Sequence, residues 1–291
     1  MLDFILTLNI LNFIIALLFS RRWFMAIITV SRMYGAGGTT FAKKLSESIG
    51  YKYIDREYVE DFCKKMDQNI CTFGLDDEES PDFLERLMEL FTNKSFYKIS
   101  LMATIYNLAL QDNVLFCGRG ANFILSGVKN IISFQIVGLF SDRVKAVSRI
   151  KNLDIEVAKE LVENKDKERK EFIDYYYEKN IFDPLNYHMV INSSYVNLSE
   201  SIEIAKILLK KFDKESFEDD KKWLKNRLIE SRANILLFRL GLVHGFGKIN
   251  FDHKDDTIKV TGVIGSENDK RILFDHLIKI DGVKNIEDHL K

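Results

Sequence analysis

A short β-branched run that stops at a cluster of glycines constrains this chain more than any other feature. Ile27-Ile28-Thr29-Val30 leads into Ser31-Arg32-Met33-Tyr34-Gly35-Ala36-Gly37-Gly38-Thr39-Thr40. Directly afterwards Phe41, Leu45 and Ile49 recur at helical spacing, with Lys43, Lys44 and Glu47 on the opposite face. Strand, glycine loop and helix N-terminus make an anion site. Glycines let backbone amides approach phosphate oxygens, and the unpaired amides of the helix start add partial positive charge. Laid on the pattern G-x-x-x-x-G-K-[ST], Gly37 takes the second glycine, Arg32 falls on the first and Gly38 on the lysine. Thr40, one place beyond the usual hydroxyl, can still reach a magnesium ion. Taken alone, the stretch is either a phosphate loop formed by Gly35, Ala36, Gly37, Gly38, Thr39 and Thr40, or a tight strand-to-helix turn.

The 291 residues suit two domains, and 46% hydrophobic with 29% charged residues is a globular composition. Lys and Arg number 42 against 43 Asp and Glu, so no bulk positive field recruits DNA or RNA, and a nucleic-acid partner is not expected. Cys63, Cys71 and Cys117 are odd in number and form no C-x-x-C, which fits a reducing compartment and sets aside a thiolate metal site. The N-terminal stretch Phe4 to Phe19 is almost continuously apolar and precedes Arg21-Arg22. It is shorter than the about 20 residues a bilayer helix needs. Residues 1–24 are therefore either an anchor or an extension ahead of a start at Met25. The second is expected, because the first core strand begins at Ala26 and leaves no linker.

Apolar strands at 26–30, 51–54, 114–117, 133–138 and 188–192 alternate with helical patterns, which argues a parallel sheet covered by helices on both faces. Several further pieces follow in order: Tyr51-Lys52-Tyr53-Ile54-Asp55-Arg56, then Gly118-Arg119-Gly120-Ala121-Asn122, then Asp142-Arg143-Val144. After them come Lys165-Asp166-Lys167-Glu168-Arg169, Asp183-Pro184-Leu185-Asn186-Tyr187 and Val190-Ile191-Asn192. From Ile27 to about Lys211 this series resembles the cytidylate kinase-like family of nucleoside monophosphate kinases. The resemblance implies an α/β fold, a P-loop nucleoside-monophosphate-kinase-like parallel sheet over 25–212. It implies ATP and Mg2+ as cofactors, a nucleoside monophosphate such as CMP or dCMP as acceptor, and a cytoplasmic enzyme. The insertion around Thr72 to Pro81 would cover the acceptor, and Asp154 to Asn180, a charged helix or helix pair, would form the lid.

Individual residues carry two readings each. Asp55, at a strand end before a helix, is either an N-cap or, as the resemblance implies, part of the acceptor site. Arg119 between Gly118 and Gly120 is poorly placed for a core and well placed to present a planar fork to a phosphate; the alternative is a solvated loop arginine. The family motif at that point is Gly-Arg-Asp, so Gly120 replaces an aspartate, just as Gly38 replaces the phosphate-clamping lysine. Arg143 and Arg169 match lid arginines of the family, although Asp166 and Lys170 at i, i+4 also allow ordinary surface pairing. Arg32 either supplies the charge missing at Gly38 or caps a strand end or pairs with a neighbouring acid; in the first case Gly38→Lys should restore part of the rate lost in Arg32→Ala. Tyr175, Tyr176 and Tyr177 cannot share one helical face, and packing of one or two is expected.

A second unit is expected over 219–291. Ile249 and Phe251, then Ile258, Val260, Gly262 and Ile264, alternate as strands around Asp255-Asp256, and Leu273, Leu277 and Ile280 line a helix. Thr261-Gly262-Val263-Ile264 and the later Asp281-Gly282-Val283 resemble a BON domain, which implies a phospholipid or protein ligand. His244, His253, His276 and His289 are scattered and read as surface or turn residues. The alternative to a kinase is a nucleotide-binding regulatory module whose catalysis has decayed at Gly38 and Gly120 and which acts through the BON-like unit.

Overall fold

The computed structural model describes residues 26–62, 94–210, 217–242 and 249–291. The N-terminal extension, the interruption at Thr72 to Pro81, the junction 211–216 and His244 lie outside these residues. The β-branched run forms β1 (Ile27–Arg32), which ends two residues later than the apolar pattern over 26–30 predicts. The reason is its partner β4 (Ile131–Val137), which runs on beside it and pairs Ser31 with Gln135 and Arg32 with Ile136. The neighbour on the other side, β3 (Val114–Cys117), stops opposite Val30. Arg32 is thus the last residue of a central strand and not a loop residue.

With β2 (Lys52–Ile54) and β5 (Met189–Asn192) the sheet is parallel throughout, in the order β2-β3-β1-β4-β5. Period-two alternation divides its side chains between two cores. Ile28, Val30, Leu115, Phe134 and Ile136 pack beneath α1 (Gly38–Ile49) and α6 (Leu198–Leu209). Ile27, Ile54, Val114 and Phe116 pack beneath α2 (Lys94–Ala109), α3 (Ala121–Ile124) and α7 (Phe217–Arg239). This is the expected α/β architecture of P-loop kinases. Because the strands are parallel, the segments after all five emerge at one edge, where ligands bind in open α/β sheets. The charged stretch after α4 (Phe140–Lys151) is one continuous helix, α5 (Ile155–Tyr177).

The chain then builds a small three-stranded sheet, β6 (Asn250–Lys254), β7 (Thr257–Gly262) and β8 (Asn285–Leu290), with α8 (Glu267–Leu277) between the last two strands. Asp255 and Asp256 both adopt positive φ, 48° and 63°, which a two-residue hairpin turn of matching twist requires. Helix α7 packs into both units. Leu224, Leu228 and Ile235 enter the core of the large sheet, whereas Ile229, Ala233 and Leu237 enter that of the small one. At 3.6 residues per turn these two sets lie on roughly opposite faces of the same cylinder.

The reading of His253 as a surface histidine is corrected here. Strand β6 extends far enough that its inward alternation takes in His253 after Phe251, and the ring is buried against α7. Its Nδ1 lies 3.0 Å from Asn226 Oδ1 and its Nε2 3.1 Å from the Gly282 carbonyl oxygen. At the other end of α7, buried Asp220 accepts from the amides of Lys129 and Asn130, both at 2.8 Å, and from Asn130 Nδ2 at 3.0 Å. Removing that carboxylate leaves buried donors unpaired. Asp220→Ala should therefore lower the unfolding free energy by about 2–4 kcal/mol. Urea denaturation followed by tryptophan fluorescence and far-UV circular dichroism should show both units weakened together, since α7 belongs to both.

Candidate nucleotide and phosphate site

The glycine loop has the geometry its residues allow and others do not. Gly35 and Gly37 have φ of 79° and 75°, the left-handed region. A Cβ on Gly35 would also lie 2.8 Å from the Arg143 carbonyl oxygen and 2.9 Å from Val147 Cγ2, so the loop can approach α4 only with glycine there. Helix α1 starts at Gly38 with no side-chain cap from Gly37 and no acid in its first turn, leaving its first amides available to an anion. Beside it opens a cleft of about 320 Å³, lined among others by Gly35, Gly37, Thr40, Arg143, Ser193 and Ser194. Ala36 is buried and also faces this cleft. Thr39 and Thr40 are both exposed in the first turn, and Thr40 is the threonine that lines the cleft.

The Gly38 departure from the lysine pattern has a steric cause. A Cβ at residue 38 would stand 2.4 Å from Arg32 Cβ and 3.2 Å from Ile136 Cβ. Arg32 then extends past the loop to the next strand end, where its Nη1 would lie 2.2 Å from a Cβ on Gly118. Glycine at both 38 and 118 is the space that the Arg32 side chain occupies. The expected rescue by Gly38→Lys in Arg32→Ala is corrected by this contact: alanine keeps the Cβ that the lysine would strike, so only Arg32→Gly makes room.

After β3 the chain takes three left-handed residues in succession, Gly118 at φ 95°, Arg119 at 57° and Gly120 at 67°. A non-glycine residue held there is strained, and the strain aims the Arg119 side chain back across the strand ends. Its guanidinium lies 4.8 Å from the centre of the Phe172 ring and pairs with Glu60, which also bonds Arg56 at 2.9 Å. Arg119 Nε is buried without a partner. Burial, with Arg56 and Arg32 nearby, pushes this guanidinium down to about 10. Gly120 too is sterically fixed: a Cβ there would fall 2.3 Å from the Tyr177 ring, whose hydroxyl donates to the Arg119 carbonyl oxygen at 2.8 Å. The aspartate of Gly-Arg-Asp has no room. Asp55 acts as a helix cap, its Oδ1 accepting from the Tyr58 amide at 3.0 Å.

Helix α5 latches this edge from above. Asp166 accepts from the Tyr34 amide at 2.7 Å and from Arg143 Nη1 at 2.5 Å, and one turn later Arg169 Nη1 donates to the Arg32 carbonyl oxygen at 2.9 Å. The surface pairing of Asp166 with Lys170 does not form; Lys170 pairs with Asp174. Arg143 is buried and spends its donors on the Gly138 and Tyr34 carbonyl oxygens as well, so it ties the loop to both α4 and α5. Burial, and Arg32 beside it, push Arg169 down to about 10. Arg32, Arg119 and Arg169 are thus brought together. Of the residues that sequence reasoning did not single out, Glu60, Phe172 and Tyr34 carry no motif, whereas Tyr177 stood within the tyrosine triplet.

The residues present fit a nucleoside triphosphate, through the open loop amides, the uncapped helix start and the adjoining cleft. They also fit a magnesium ion that takes most ligands from phosphate and water. Among the described residues no group of three or more His, Cys, Asp or Glu is gathered to hold a metal. Among the same residues no helix is long and apolar enough to cross a membrane.

A glycine loop, a strand-end arginine and an arginine-bearing helix over one parallel sheet give the chain the fold of the P-loop kinases. Residues 27–195 match the Cytidylate kinase-like family, and the chain belongs to it. It is 26% identical over 195 residues to the cytidylate kinase of Thermoplasma acidophilum, covering 66% of this chain and 95% of that one. It is also 26% identical over 174 residues to the cytidylate kinase of Methanocaldococcus jannaschii, covering 58% and 88%. The crystal structure of an uncharacterized protein from Eubacterium ventriosum shares the fold, with a TM-score of 0.52 at 22% identity over 64% of this chain and 99% of that one.

The two motif departures are steric accommodations, which a double-mutant cycle can test. Gly120→Ala should destabilise by about 1–3 kcal/mol, and thermal denaturation should show a smaller cost when Tyr177→Ala has already removed the ring.

Proposed function

We propose that the chain is an ATP-dependent nucleoside monophosphate kinase that phosphorylates CMP, dCMP or a similar small acceptor. The observation that carries this reading is the convergence of Arg32, Arg119 and Arg169 at the strand ends beside an open glycine loop. Together with Arg56 and Arg143 they hold more positive charge than Asp55, Glu60 and Asp166 neutralise. Such a surplus is costly without an anion, and phosphoryl transfer brings several negative oxygens to one point.

In this reading ATP lies with its phosphates on the amides of Gly35 to Thr40 and its nucleoside toward Ser193 and Ser194. The acceptor phosphate lies across the strand ends on Arg119, displacing Glu60. Arg119 and Asp55 orient the acceptor so that its 5′-phosphate oxygen attacks the γ-phosphorus in line, while the bond from that phosphorus to the β-phosphate oxygen breaks. Arg169 and Arg32 face the charge that spreads over the transferring oxygens, and Arg143 positions the loop. A magnesium ion, when bound beside Thr40, supplies further charge neutralisation of the β- and γ-phosphates. The enzyme would work in the cytoplasm, with domain bounds at 25–212 and 219–291. Under the BON-like reading, the C-terminal sheet would be the part that meets a phospholipid or protein ligand.

The decayed-module reading rests on Gly38 and Gly120. Both glycines are required by neighbouring side chains, Arg32 and Tyr177, so they mark a coherent rearrangement better than erosion. Incubation with ATP, magnesium and each nucleoside monophosphate should yield the diphosphate from CMP, dCMP or UMP. Arg119→Ala should lower that rate by about a hundredfold or more, and Arg119→Lys should recover little of it, because an ammonium cannot make the bidentate contact. ATP binding by calorimetry with no transfer to any of these acceptors would instead favour the regulatory module.

A further inference from the structure

We infer that Arg32 is the relocated P-loop cation, delivering from the end of β1 the charge that such loops ordinarily carry on the first turn of the following helix; this rests on the kinase reading above.

The two placements exclude each other. The atoms that collide are Cβ of residue 32 and Cβ of residue 38, at 2.4 Å, with Arg32 Cγ at 3.0 Å. Neither Cβ can swing away, because each is fixed by a strand or a helix backbone. A chain can therefore hold a long side chain at 32 or at 38, but not at both, and here it holds the arginine.

The head of Arg32 travels from the loop to the end of β3, where it lies against Gly118. It ends one residue from Arg119, the residue assigned to the acceptor phosphate, and its strand partner is Ile136 on β4. The guanidinium thus stands between the loop that would hold the donor and the arginine that would hold the acceptor. A charge there is opposite the phosphoryl group in transit, more than opposite either bound substrate. That is the placement which lowers a barrier without tightening ground-state binding equally.

The residue is also held and unspent. Arg169 grips its carbonyl oxygen at 2.9 Å, so its backbone is tied to the lid helix. Its Nε is buried with no hydrogen-bond partner. Arg119 and Arg169 both feel Arg32 as a like charge that lowers their own affinity for a proton. Three guanidinium groups assembled this way, two of them with an orphaned buried Nε, form a receptor for an anion.

The test separates charge from packing. Arg32→Met keeps an unbranched stem between Gly38 and Gly118 and removes only the charge. Arg32→Lys keeps a charge and loses the fork. The exchange variant, Arg32→Gly with Gly38→Lys, moves the cation to the ordinary place. Arg32→Met should stay folded by circular dichroism and lose about a hundredfold or more in kcat, with a smaller rise in KM for ATP, below about tenfold, that matches the lost γ-phosphate contact. Arg32→Lys should fall between it and the wild type, and the exchange variant should exceed Arg32→Met by about tenfold or more. By calorimetry the wild type should bind ATP more tightly than ADP, and Arg32→Met should bring the two within about twofold.

Turnover of folded Arg32→Met within about threefold of the wild type would overturn the inference and leave the kinase reading intact. If the wild type phosphorylates no nucleoside monophosphate, the kinase reading fails and calorimetry alone decides. A preference for ATP over ADP that Arg32→Met erases supports Arg32 as the γ-phosphate cation. A preference that survives, or no ATP binding at all, overturns it. Should Arg32→Met fail to fold, Arg32→Lys and the exchange variant carry the same comparison.

Discussion

The close passage of the Arg32 side chain between Gly38 and Gly118 is the constraint on which the site depends. It fixes the identity of three positions on three different elements: the end of β1, the start of α1 and the end of β3. Because Arg32 also pairs with β4 through the register Arg32–Ile136 and with α5 through Arg169, this side chain and its backbone tie together five elements of the phosphate edge: β1, α1, β3, β4 and α5. A glycine-rich loop is usually read as room for a ligand. Here part of that room is filled by the protein itself, and the filling group is a cation.

The lid shows the same economy. One turn of α5 supplies both Asp166, which occupies the Tyr34 amide and Arg143, and Arg169, which occupies the Arg32 carbonyl oxygen. The last turn supplies Tyr177 to the Arg119 carbonyl oxygen and packs against Gly120. The helix therefore spans the distance from the glycine loop to the strand-end arginine and sets both ends. Movement of α5 would alter the glycine loop and the strand end at Arg119 together, since Asp166 and Arg169 hold the first and Tyr177 the second.

The small C-terminal sheet is joined to this machinery by one helix with two apolar stripes. Helix α7 packs on α2 and on the β6 strand, and the buried carboxylate of Asp220 pins its start to the loop before β4. Tyr106 of α2 meets Trp223 of α7 edge to face, and Tyr97 of α2 meets Tyr176 of α5. The small sheet is thus connected to the lid through packed aromatic side chains. Coupling through them would require two discrete arrangements of α7 or α2.

Much of the fold was legible in the residues. Apolar runs of four to six residues alternating with helical spacing specify parallel strands and covering helices, because burial on both faces favours apolar side chains at most strand positions. The left-handed glycines at 35 and 37, the arginine between glycines at 119 and the Asp255-Asp256 turn are local chemistry, and local chemistry is written in adjacent residues. Tertiary structure alone decided that Arg32 ends a strand, since that follows from the length of β4, a partner about a hundred residues away. It decided that Asp166 holds the loop where helical spacing suggested a surface pair with Lys170, and that His253 is buried. It also gave the two missing motif residues their cause: the space for a lysine at 38 and an aspartate at 120 is taken by Arg32 and Tyr177. Periodicity reports which face of an element is apolar; which distant side chain fills the volume in front of a glycine is a property of packing, and no local pattern encodes it.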